Sequence, residues 1–270
     1  MPAPVNYTEC LTLLMADIVD RVSTLSFIDV ADVLVFARPG RSNASGPLAT
    51  CHCLTLPPSE PGYYFWRDRA SGKLTRRSQW FIRKSPVVTV GSRQIKYLFS
   101  FALPRFCDQS LTGSRKQHLY PRAEPWIAKL DTVIHELYHI DPEHQGLRPI
   151  ERGDGTYSAR CHDQQFFAHV AEMTAAYLRT QPDPGVYDFL RHDFDQLMRC
   201  HGGVVSTAFR GFPSFPQRYP EPAPVQPTCE EDSEIVIEPI VRRAPTHYTE
   251  DDLQVRQFFK VSSRQVPRVA

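Results

Sequence analysis

The sequence predicts an α+β fold on two observations. Strand-like segments, β-branched and apolar between turn residues, concentrate between residues 28 and 106, and helical apolar periods take over after Pro125. A chain of 270 residues buries one sizeable core, with room for a small extra module or tail.

An amphipathic helix is expected first. Leu11, Leu14, Met15, Ile18 and Val22 fall at helical spacing over residues 8–22, with Thr8 as candidate cap. IDVADVLVFA (28–37) reads as a strand ending at Pro39-Gly40, and TCHCLTL (50–56) as another beyond a polar Ser/Asn/Gly segment. Residues 63–106 are β-rich, with PVVTVG (86–91) and QIKYLFSFAL (94–103) their better strands. After Pro125, the stripe Trp126, Leu130, Val133, Ile134 and Leu137 predicts a helix within 122–140, stopped by Asp141-Pro142. A charged, Gly-containing loop (142–160) follows. A second helix begins near 161–163 and runs to about Thr180, with Phe166, Val170, Met173 and Tyr177 on one face. A third helix is expected over 186–200. Six prolines in 212–227 read as an extended linker. The organisation expected is a domain over 1–205, a Pro-rich linker over 206–245 and a tail over 246–270, in which TEDDLQVRQFFK reads as a short helix.

Composition sets limits on function. Apolar and charged fractions of 41% and 23% are those of an ordinary globular protein, and a net charge of +1 drives no global attraction to nucleic acid or membrane. No apolar run approaches the length that spans a bilayer. The N-terminus carries Glu9, Asp17 and Asp20 within its most apolar stretch, which argues against a secretory leader. Seven irregularly spaced cysteines then favour free thiols and a cytoplasmic setting over a disulfide framework.

The string VIHELYHID (133–141) carries the chemistry. On a helix, His135 and His139 project from one face one turn apart, close enough to grip one ion. Glu136 lies beside them without being a ligand. Two neutral imidazoles holding Zn²⁺, a water whose pKa the ion lowers and a carboxylate to take its proton are the parts of a metallohydrolase. The bland alternative is two surface histidines flanking a solvated glutamate. A catalytic zinc takes a third protein ligand and keeps a position for water. The candidates are His162 at the mouth of the next helix, Glu172 within that helix, and His144, which lies awkwardly close to His139 beyond a proline. His162 is preferred, with Glu172 the runner-up. Asp163 reads equally as a cap for the second helix or as an acceptor for an imidazole N–H.

HELYHIDPEH followed by RCHDQQFF resembles a family of phage and bacterial metallopeptidases and, more distantly, the SprT-like zincins. The matching positions are His135, Glu136, Leu137, His139 and Ile140, then His162, Asp163 and Phe167, within a match covering roughly residues 25–180. The resemblance implies a compact zincin-like fold, with a small antiparallel sheet beside the metal-bearing helix and a second helix across from it. It further implies zinc held by His135, His139 and His162, with Glu136 as general base toward a peptide or protein substrate. SprT-like proteins often carry a Cys-x-x-Cys zinc ribbon. This chain has no such string, which weakens a DNA-repair analogy.

Other features are weighed against plainer readings. Cys51-His52-Cys53 on a strand puts both sulfurs on one side and His52 on the other, which suits structural thiols. His169, His192 and His201 lack a partner pattern. Tyr157 is a candidate for stabilising an oxyanion. Nine Lys or Arg and one acid between 63 and 96, interleaved with aromatics, raise nucleic-acid binding against the plainer reading of a twisted sheet with a basic solvent face. The competing functional class is a catalytically silent zinc-binding module, for which the proline-rich segment would be a docking site. A small-amide hydrolase would share the peptidase chemistry.

Overall fold

The structure, a computed structural model, describes residues 3–40, 46–55, 60–68, 74–144, 146–151, 157–158, 162–211, 215–222, 235–239 and 247–260. It is α+β, with small sheets and with helices packed around a main core.

The first helix, α1, spans Tyr7–Arg21 and buries Tyr7, Leu11, Leu14, Met15 and Ile18, the face the periodicity predicts. Its cap is Asn6 rather than Thr8. Asn6 accepts from the Glu9 N–H, while Thr8 Oγ1 contacts Ser206 Oγ at 2.7 Å and accepts from the Thr207 N–H at 2.9 Å. Thr8 is thus recruited by a strand from the far end of the chain, which local sequence does not reveal.

The sheet that positions the site has Tyr97–Pro104 at its centre, with Val33–Gly40 on one side and Ala49–Cys53 on the other. Every residue of the central strand is buried, so it reads as the continuous apolar run YLFSFALP instead of an alternation. Ala49–Cys53 pairs antiparallel with it, but Val33–Gly40 pairs parallel, in register Val33 with Tyr97. The expected antiparallel sheet is therefore mixed. Asp32 fixes the parallel start: its carbonyl accepts from the Lys96 N–H at 2.8 Å, and its carboxylate meets Arg93 and Lys96, each at 2.7 Å. One sheet face packs through Val35, Cys51, Cys53, Phe99 and Phe101 into the main core. The other packs through Phe36 and Leu98 onto Phe209, Phe215 and Tyr248.

Helix α2, Ile127–Tyr138, crosses this core and is buried along nearly its whole length. Helix α3, Gln164–Arg179, packs against it and is capped by Asp163, which accepts from the Phe166 N–H at 2.9 Å. The expected third helix is interrupted. A short turn of helix at Pro184–Tyr187 and a 3₁₀ turn at Asp188–Arg191 precede a restart at Phe194–His201, because Asp193 and Gln196 form a capping box.

Beyond residue 205 the chain continues in structure. Val204–Phe209 is a strand, and Leu253–Gln257, expected as helix, is a strand paired antiparallel with it. Phe258 then enters the main core. Within the expected linker, Phe215 packs on Phe36 and His52, and Tyr219–Pro222 pairs with Leu74–Lys84. A four-stranded sheet contains Glu60–Asp68 and Leu74–Lys84; the side chains of 63–84, on which the nucleic-acid expectation rests, lie outside the described residues. Among the described residues, no helix is long and apolar enough to cross a membrane.

Candidate metal centre

The C-terminal end of α2 and the residues leading into α3 bring three histidines together. His139 Nε2 lies 3.2 Å from His135 Nε2 and 3.0 Å from His162 Nε2, and one ligand atom from each falls within 4.8 Å of the other two. A single imidazole nitrogen offers one in-plane site, a proton or a lone pair, so His139 Nε2 cannot satisfy both neighbours by hydrogen bonding. A shared cation satisfies all three. Four ligands about 2.0–2.1 Å from a tetrahedral zinc stand roughly 3.3 Å apart, close to the two spacings here. The group can hold a metal ion, and among the described residues no second such cluster forms. Its place at the C-terminal end of α2 adds the negative end of the helix dipole.

The three residues step outward: His139 is buried, His135 half-buried and His162 exposed. Burial, followed by the charge of Lys116 and the neighbouring histidines, holds His135 well below the ordinary histidine range. Burial, His162 and Arg148 push His139 down to about 4. Both are therefore neutral at pH 7, the form that ligates.

Packing fixes the rings. Phe166, at the first turn of α3, has its centroid 4.8 Å from His135, 5.3 Å from His139 and 4.9 Å from His162, stacked on His139 and edge-on to the others. The Nδ1 atoms of His135 and His139 are buried with no hydrogen-bond partner, so aromatic contact, not a polar buttress, sets these two rings. At the helix end, Arg148 donates its backbone N–H to the His139 carbonyl and Nε to the Tyr138 carbonyl, both at 2.8 Å. Its guanidinium also lies 4.5 Å over the Tyr138 ring.

Glu136 is held from the facing strand. Its Oε2 accepts from the backbone N–H of Cys51 at 2.7 Å, which ties α2 to the edge strand. Burial raises its pKa to about 7 against the opposing pull of that N–H, Lys116 and Arg38. Glu136 and the three histidines border one open cleft of about 540 Å³. Its walls are the Gly46–Cys51 segment on one side and Gln109, Lys116, Thr132 and Phe167 on the other.

The remaining candidates fall elsewhere. His144 packs against Phe27 and Tyr97, and Glu172 is exposed on α3; neither joins the group. His169 is exposed, and His192 faces Asp188 at 3.9 Å. Cys51 and Cys53 are buried, with Cys53 Sγ accepting from the Thr55 N–H at 3.3 Å, and His52 lies on the opposite sheet face against Phe36 and Phe215. The side chain of Tyr157 lies outside the described residues. Three contributors escaped the sequence reading: Phe166 as the ring hub, Arg148 and Lys116. Phe166 was visible as a core position, but the other two carry no local pattern. No protein family, curated protein or solved structure matches the chain.

Proposed function

We propose that the protein is a zinc-dependent metallohydrolase and, within that class, a metallopeptidase. The observation that carries this reading is the convergence of His135, His139 and His162 beside a carboxylate held in the same cleft. Three nitrogen ligands with an open fourth position suit catalytic zinc better than the oxygen-rich shells of magnesium or calcium. Zinc so held lowers the pKa of water toward about 7 and polarises a carbonyl.

The chain's own residues divide the rest of the work. Glu136 is the proton acceptor: Cys51 pins one carboxylate oxygen, leaving the other for the attacking water, and the same group can return the proton to the leaving amine. The cleft is open and walled by an edge strand, which suits an extended peptide. Glu136→Gln is expected to retain zinc and lose turnover on a peptide substrate by about 10²–10⁴-fold. Hydrolysis undiminished in that variant contradicts the role given to Glu136.

The unpartnered Nδ1 atoms favour a second reading, a catalytically silent zinc module, because catalytic ligands commonly donate to an acceptor behind them. Zinc held at full stoichiometry with no peptide cut would select it.

A further inference from the structure

Asp131 lies one turn before His135 and is fully buried, yet its carboxylate is met by two groups from the preceding loop, the Lys116 ammonium and the Tyr120 hydroxyl. That pairing holds Lys116 half-buried on the cleft wall, 5.7 Å over the Phe167 ring and beside Thr132 and Gln109. Gln109 Nε2 donates to Thr132 Oγ1 at 2.8 Å, so this wall is polar, and the facing segment presents Leu48, Ala49, Thr50 and Cys51. An ammonium carries three donors and no acceptor, and Asp131 takes one.

Charge around the cleft points the same way. Glu136 is the only carboxylate that borders it among the described residues, and it is engaged with Cys51. At the other rim, the Pro47 carbonyl accepts from both Arg38 and Arg105. Asp131 is sealed beneath the wall and its position serves to hold Lys116 there.

We propose that Lys116 receives a carboxylate of the substrate, so that the cleft selects peptides bearing an acidic side chain or a free C-terminus near the bond cut. This rests on the metallopeptidase reading and adds the substrate class to it. The bland role, a counter-ion for Asp131 and nothing more, predicts no preference for charge.

The test uses zinc-loaded Glu136→Gln protein and fluorescently N-labelled hexa-alanine peptides. Each carries one Glu, or its Gln twin, at successive positions, with the C-terminus amidated; a further pair compares the free acid with the amide. Zinc is counted in the same samples. The expected result is a preference of about tenfold for the charged member at one Glu position or at the free C-terminus, the worth of one charge-assisted hydrogen bond. Adding Lys116→Gln brings that ratio to about one, and Lys116→Arg preserves it. A merely structural lysine would move both members of a pair together and leave the ratio intact. Equal affinity within every pair, or no binding by any peptide, in protein carrying one zinc overturns the proposal and leaves the metal site standing. Protein without zinc overturns both. Should Lys116→Gln not fold, the ratio measured with Lys116 in place decides alone.

Discussion

Phe166 touches all three histidines of the cluster and is itself fully buried, so one aromatic ring packs against and aligns the three imidazoles of the candidate metal group. Truncating it removes both core packing and that alignment. Phe166→Ala is expected to cost about 3–5 kcal/mol of stability and to weaken zinc binding, read by denaturant unfolding and a zinc-indicator titration. Phe167→Ala, on the half-buried cleft side, is expected to cost less; equal losses would deny Phe166 its special place. The resemblance singled out Phe167, one position along. The helical stripe through Phe166, Val170, Met173 and Tyr177 already placed Phe166 inside, but its contact with the imidazoles depends on how α3 approaches α2, which no local pattern encodes.

At the scale of elements, α2 was legible as a helix because its apolar period is regular, and less legible in depth. Lys129, Asp131, Thr132 and Glu136 lie off the apolar stripe, yet all four are buried. Each has a partner from a distant segment: the His192 carbonyl, Lys116, Gln109 and the Cys51 N–H. Such pairings make a polar residue tolerable inside a protein and are invisible one element at a time. The parallel strand start at Asp32 shows the same dependence and carries a pH prediction. Burial alone would raise the Asp32 pKa, but hydrogen bonds and charge from Lys96 and Arg93 outweigh it and hold it below the ordinary value. A depressed folded pKa supplies stability that is complete above the unfolded value of about 4 and is lost as pH falls through the folded one. Thermal melting of wild type and Asp32→Asn should therefore differ at pH 7 and converge as acidification passes the unfolded value and then the lower folded one. A gap independent of pH would contradict the charge argument.

Over the whole molecule, the strands and helices of residues 7–180 were largely readable from period and turn residues, and the C-terminal third was not. Prolines at 212–227 suggested a linker, and TEDDLQVRQFFK read as a short helix. Pairing decided otherwise: Leu253–Gln257 closes the edge of Val204–Phe209, and the Phe258 N–H donates to the Val204 carbonyl at 2.9 Å. The tail is thus part of the core. Phe258→Ala should cost about 3–5 kcal/mol, whereas Phe259→Ala, at a side chain 59% exposed, should stay within about 0.5 kcal/mol; equal effects would detach the tail from the fold. The metal centre remains the claim on which function depends, and zinc per chain after dialysis tests it most directly. Wild type and His144→Ala are expected to retain about one zinc, and His162→Ala to lose most of it. Wild type without zinc, or His162→Ala with its zinc intact, would contradict the three-histidine site.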